Sequence, residues 1–367
     1  MLKASVTDFA TRATDIARVR ALRGSPGEYD RAVWRQMADL GWLGIAIPES
    51  YGGMGLGLTE AAIVAEGLAR TLAPEPYTAA AILAAGALAA CGNEALKREL
   101  LPGIVRGERV PALAWQEAAG FLDGSHIAAR ATPFEGGFRL NGSKRYVAGA
   151  AGADFYVVAA RSDDGLVLAC VEQGAAGAKL TLERLADGRS FGRLDLDDVV
   201  VPRERVAATG EAAARALQQA LDHATAIASA ELHGVMSRAL EMSVDYMKTR
   251  VQFGRPIGSF QALQHRAVDL YIQQELASAV LGESLRQLDG GPQPRERAAI
   301  ASRLKARCSD AGVRITREAI QIHGAIGFTD EYDAGLYLKR ALVLGAWLGN
   351  ATAHRRRYAA LALRKKH

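Results

Sequence analysis

Arg250-Val-Gln-Phe-Gly-Arg-Pro-Ile-Gly-Ser-Phe-Gln261 decides how this chain is read. Upstream of it, Leu232, Val235/Met236, Ala239/Leu240 and Ser243/Met247 recur at helical spacing, and Gly254 closes the run. A guanidinium at 250, followed by the Phe253 ring, suits a nucleotide. The planar fork of arginine takes phosphate oxygens bidentately, and the ring offers a flat face to a base. A helix end with its glycine cap accounts for the same residues equally well. Alone, the stretch leaves both open.

Gln321-Ile-His-Gly-Ala-Ile-Gly-Phe328 adds weight, because closely spaced glycines after a helical stripe let backbone approach a ligand. His323 has no carboxylate nearby in sequence and is expected to pack or cap. Stripes at Leu263, Ala267, Leu270 and Leu281 and at Ile315, Ile320 and Ile322, parted by Gly290-Gly291-Pro292, predict an antiparallel helical bundle over 206–367. Between about 109 and 205 the period changes. Apolar runs at 153–160, 165–171 and 194–201 sit between Gly and Asp turns, which predicts a small β barrel or sandwich. Residues 1–108 read as helical, with apolar spacing at 60–70 and 78–91 and a tight path at Gly52-Gly53. The expected organisation is mostly α with a central β domain, divided 1–108, 109–205 and 206–367.

Hydrophobic content of 49% with 23% charged residues over 367 residues describes a globular chain of more than one domain. The net charge of +5 gathers partly in Arg355-Arg-Arg357 and Arg364-Lys-Lys-His367, either a solvated terminus or a contact to an anion or a partner. Basic residues are not interleaved with aromatics, so no nucleic-acid surface is expected. Cys91, Cys170 and Cys308 build neither a disulfide framework nor a metal site. Asp8 and Asp15 within the arginine-bearing N-terminus argue against a presequence, and no run is long enough to span a membrane. The expectation is cytoplasmic, without metal.

Taken together, these strings resemble the acyl-CoA dehydrogenase family. Leu40-Gly-Trp-Leu-Gly-Ile-Ala-Ile-Pro-Glu-Ser-Tyr-Gly-Gly-Met-Gly55, the Glu66–Arg70 segment and the helix–β–helix order extend the likeness over nearly the whole chain. The resemblance implies an N-terminal helical domain, a middle β-barrel domain and a C-terminal four-helix bundle. It also implies FAD, an acyl-CoA substrate and an electron-transferring flavoprotein as acceptor. Arg250, Gln252, Phe253, Gln261, Gln321, Gly324 and Ala325 match positions that grip the FAD of a neighbouring subunit, implying a dimer or tetramer. Ala325 replaces a glycine and Phe260 a histidine. In the β segment, Trp115-Gln-Glu-Ala118 stands where the family has Thr-Glu-Pro, so Gln116 takes the flavin-edge position. Tyr146 in Asn141-Gly-Ser-Lys-Arg-Tyr-Val-Ala148 covers the ring, while Ala148 lacks the usual hydroxyl.

One departure matters most. The family removes an α-proton with a Glu in Tyr-Glu-Gly-Thr; the equivalent string here is Trp347-Leu-Gly-Asn350, so Leu348 occupies the base position. Some relatives carry the base on the preceding helix, which falls at Ala224, and Asp222 is a weak substitute beside it. Loss of a positioned base costs on the order of 10²–10⁴ in rate. The pattern resembles the smaller, base-less chains of heteromeric acyl-CoA dehydrogenases acting on dicarboxylic or steroid side-chain thioesters. A homo-oligomer with an unusual base, a flavin-free scaffold and a flavin oxidase or monooxygenase are the alternatives.

Overall fold

The computed structural model describes residues 1–23, Ser25 and 28–363, so the basic string 364–367 lies outside the described residues. The chain forms two compact units, one of residues 21–61 and 74–224, the other of 1–20, 62–73 and 225–367.

The first unit is built on an eight-stranded sheet of β1 (Pro111–Ala114), β2 (Arg130–Phe134), β3 (Gly137–Ala148), β4 (Phe155–Ser162), β5 (Gly165–Glu172), β6 (Ala178–Arg184), β7 (Ser190–Pro202) and β8 (Val206–Thr209). Its order is β6-β7-β3-β2-β4-β5-β8, with β1 paired parallel to β4. From Phe155 to Ala160 strand β4 is buried on both faces, which is why it reads as an unbroken apolar run. The β4–β5 turn closes with Ser162 opposite Gly165. The sheet is open, correcting the expectation of a closed barrel. Its ends are β6, an exposed strand carrying Lys179, Glu183 and Arg184, and the four-residue β8, and these two do not pair. Charged edge strands resist further pairing.

Two tight features hold the N-terminal part of this unit. At Gly53 an added Cβ would lie 2.0 Å from the Ile47 carbonyl oxygen, so the Gly52-Gly53 pair serves a close backbone approach. The apolar spacing at 78–91 becomes a fully buried π-helical turn, Tyr77–Ala84, running into helix Ala85–Ala89; it packs against β1.

The second unit is helical. It takes the C-terminal part of the forty-residue helix Gly210–Thr249, then Gln261–Asp289, Pro294–His323, Ala334–Ala346 and Ala351–Leu363. Helix Pro294–His323 is its axis, packed by the two helices that follow it and by Gln261–Asp289. Gly234 lets the long helix cross helix Leu58–Arg70, since a Cβ there would sit 2.3 Å from the Glu66 carbonyl. Arg340 and Glu231 pair at 2.7 Å with both side chains largely buried, and Tyr337 Oη donates to the Arg70 carbonyl at 2.6 Å. Among the described residues no helix is long and apolar enough to cross a membrane.

Candidate functional site

In the helical unit the long helix stops at Thr249 and the chain makes a miniature hairpin, Val251–Gln252 against Arg255–Pro256. The Ile257 amide donates to the Arg250 carbonyl and the Arg250 amide to Tyr246, closing the turn at both ends. Its tip holds Phe253 at φ +53°, followed by Gly254 at +78°. Phe253 is 92% exposed, touched edge-on by Phe260, over which the Arg255 guanidinium lies at 4.2 Å. Arg250 and Gln252 are exposed, and Arg250 has no carboxylate partner among the described residues.

Packing brings the second predicted string alongside. Tyr246, one helical turn before Arg250, lies 4.5 Å from the ring of His323, which follows Gln321 by two residues. His323 Nδ1 bonds to the Ala319 carbonyl at 2.7 Å and Nε2 to Tyr332 Oη at 3.0 Å, a packing role. Burial lowers its pKa against the pull of that carbonyl. Beyond it Gly324 turns at φ +64°, with Gln321 and Ala325 exposed and Gly324 half-buried. Arg266, in the helix that Gln261 opens, pairs with Glu318 at 3.3 Å, near the start of the same string. Phe328, which closes the string and is assigned no role from sequence, is 79% exposed beside it. This corner therefore presents cationic and amide donors with uncovered aromatic faces.

In the β unit, β1 delivers Trp115 and Gln116 to the end of the sheet, where the Arg145 amide donates to the Gln116 carbonyl at 2.8 Å. That bond joins Gln116 to a bulge in β3, at which Tyr146 takes φ +57°. Tyr146 is half-buried, edge-on to Phe191, with the Arg145 guanidinium 5.1 Å from its ring. Gln116 Nε2 donates to the Ala118 carbonyl at 3.0 Å. Beneath this end lies an ion pair that sequence reasoning missed. Lys144, fully buried, bonds to Glu117 Oε1 at 2.5 Å, and Glu117 also accepts the Ala128 and Ala129 amides. Burial raises Glu117, but Lys144 and the two amides outweigh it and hold the carboxyl below its usual range. Burial also draws Lys144 down to about 8 against the pull of Glu117. In the sequence Lys144 stands out only as a member of the string that carries Tyr146, two residues on, with nothing to pair it with Glu117.

Leu348 is 5% exposed and adopts φ +57°, with Gly349 at +99°. Asp222 is wholly buried and accepts from Gln218 Nε2 at 3.1 Å. Among the described residues no cluster of three His, Cys, Asp or Glu side chains is placed to hold a metal.

Open guanidinium and amide donors beside flat aromatic faces fit a dinucleotide with an anionic middle and two ring systems, the make-up of flavin adenine dinucleotide. Residues 1–108 match the model of the acyl-CoA dehydrogenase N-terminal domain, and residues 213–363 that of its C-terminal domain. The acyl-CoA dehydrogenase FadE27 of Mycobacterium tuberculosis is 32% identical over 338 residues, which cover 90% of this chain and 87% of that one. Among solved structures, a variant of the Tcur3481-Tcur3483 steroid ACAD superimposes with a TM-score of 0.89 at 31% identity, covering 99% of this chain and 97% of the other. The ChsE4-ChsE5 complex from Mycobacterium tuberculosis gives 0.90 at 29% identity, covering 100% and 97%. The chain belongs to the acyl-CoA dehydrogenase family, flavoproteins that use FAD to oxidise the CH–CH bond of acyl-CoA thioesters.

Proposed function

We propose that this chain is the base-less subunit of a two-chain acyl-CoA dehydrogenase whose homologous partner supplies the catalytic glutamate. One observation carries this: where the family has that glutamate stands Leu348, an apolar side chain that cannot take a proton. The uncovered Phe253 and the unpaired Arg250 support the other half, in which this chain serves a flavin seated mainly in its neighbour. The two-part names of the steroid ACAD and the ChsE4-ChsE5 complex agree with a two-chain enzyme.

In this assembly Arg250 would hold the pyrophosphate, which a guanidinium suits, and Phe253 would offer its face to adenine. Gln252, Gln261 and Gln321 contribute amides, and Gly324 and Ala325 contribute close backbone. On the chain's own β unit, Gln116 bonds the pyrimidine edge and Tyr146 covers the ring, with the buried Lys144–Glu117 pair fixing the bulge that carries it. Bound FAD would supply the hydride acceptor for the β-hydrogen. The partner's carboxylate takes the α-proton, giving the 2-enoyl-CoA. Steroid side-chain or dicarboxylic thioesters are the proposed substrates, an electron-transferring flavoprotein the acceptor and the cytoplasm the setting. The working division remains 1–108, 109–205 and 206–367.

The chain purified alone, and again after co-expression with a glutamate-bearing homologue, should differ in its visible spectrum. Flavin is expected to be weak or absent alone and restored in the mixed assembly, and Arg250→Ala should release it, a loss of at least tenfold in affinity for a bidentate charged contact. Flavin in the lone chain that an acyl-CoA bleaches would point to a self-sufficient homo-oligomer, with Asp222 the first residue to replace. Undiminished flavin in the Arg250→Ala assembly would remove the proposed contact.

A further inference from the structure

Beneath Leu348 lies a buried lysine with no carboxylate hydrogen-bonded to it among the described residues. Lys305, fully buried in helix Pro294–His323, directs Nζ at the Leu344 carbonyl (2.8 Å), the Gly345 carbonyl (3.3 Å), the Gly349 carbonyl (3.0 Å) and Ser309 Oγ (3.2 Å). Leu344 and Gly345 belong to the last turn of helix Ala334–Ala346, whose carbonyls have no amide of their own helix to meet. A cation at that end also meets the negative pole of the helix. From the next helix the fully buried His354 bonds through Nε2 to the Leu348 carbonyl at 2.8 Å. A carbonyl only accepts, so Nε2 carries the proton and the imidazole is the neutral tautomer protonated there. The carbonyls before, at and after Leu348 are thus held by two side chains from outside the turn, and Leu348 stays at φ +57°. A leucine in that region persists only where its surroundings over-determine it.

We propose that Lys305 and His354 are positioning residues, locking the turn that presents residue 348. The proposal rests on residue 348 being the vacated base position, as read above. It adds that the scaffold for a base is retained, and that the chain lost a side chain, not a site.

The groups facing Lys305 and His354 leave one titration in the working range. Burial pushes the Cys308 thiol up to about 12. Burial, with the charges of Lys305 and Arg357, pulls His354 down to about 3. Burial draws Lys305 itself to about 7. Trp347 is next to the turn, while Trp34, Trp42 and Trp115 lie in the other unit.

The full chain should be labelled with 5-fluorotryptophan and its Trp347 resonance assigned by Trp347→Phe. In the unmodified chain that resonance should shift with pH, with a midpoint near 7, while those of Trp34 and Trp42 stay still; Trp115, whose carbonyl lies 3.5 Å from Lys144 Nζ, is not used as a control. Lys305→Met should abolish the shift. A Trp347 signal that does not titrate, or titrates unchanged in Lys305→Met, overturns the proposal; should that variant fail to fold, the unmodified chain's titration decides. In a second arm, Leu348→Glu is incubated with octanoyl-CoA in deuterated water. Exchange of α-hydrogens should rise on the order of 10²–10⁴-fold over the parent and fall at least tenfold when Lys305→Met is added. Equal exchange with and without Lys305 overturns the lock. No exchange in either counts against residue 348 as the base position, and the fluorine titration then judges the lock independently.

Discussion

The hairpin at 250–256 and the turn at 344–349 solve one backbone problem in opposite ways. Each carries a bulky non-glycine residue in the left-handed region, Phe253 at φ +53° and Leu348 at +57°. Phe253 is held by a two-residue ladder and its ring is 92% exposed, whereas Leu348 is 5% exposed and held by buried side chains. Tyr146 makes a third. Half of the six non-glycine residues with positive φ among the described residues are therefore ones that the sequence resemblance proposes for the site, where backbone strain tends to gather. The contrast separates two kinds of backbone strain: one leaves a side chain in the open, the other fixes a side chain inside its own fold.

The largest effect expected from this contrast is a pH dependence confined to the buried turn. Lys305 has a folded pKa drawn down to about 7, below its unfolded value of about 10.4. The unfolded chain therefore holds the extra proton between these values, and stability rises with pH across that window by up to roughly 1.4 kcal/mol per unit. Its contribution is fully present above the unfolded value and lost as pH falls through 7. Denaturant midpoints of the parent and Lys305→Met should diverge in the parent's favour from pH 7 to 9. A difference that is flat, or that shrinks, would show that the cation is not desolvated as its burial requires.

Next in size is Leu348→Ala, which removes a buried side chain and should cost about 2–4 kcal/mol of unfolding free energy. A cost under ~0.5 kcal/mol would mean that the turn does not bury its residue in solution. Smallest is Phe253→Ala. With the ring in solvent and the strained φ unchanged, stability should move by less than about 0.5 kcal/mol, while FAD content of the mixed assembly falls. If stability dropped with the flavin, the ring would be a structural element of the hairpin and the comparison between the two turns would fail.

Much of the architecture was legible because periodicity is written locally. The stripes around Leu232–Met247 and Leu263–Leu281, and the Gly290-Gly291-Pro292 break, fall on the helices and the gap that form. The 153–160 and 165–171 runs fall on β4 and β5, since a hairpin buried on both faces needs little beyond its own residues. Strands β1, β2 and β6 carried weaker signals: one is four residues long, one is largely exposed, and one alternates charges at an edge. Closure was misjudged because a strand's own residues say what lies on its faces, not whether the first and last strands meet.

The amino-acid order alone determined the family strings, the placing of Arg250 and Phe253 three residues apart and the presence of leucine at 348, because each is a matter of which chemical group stands where along the chain. Only the tertiary structure decided which distant groups stabilise them. Lys144 meets Glu117 across 27 residues, and Lys305 reaches the Gly349 carbonyl across 44. A buried charge has a meaning set by the dipoles packed around it, and those arrive only when separate helices and strands are brought within hydrogen-bonding distance.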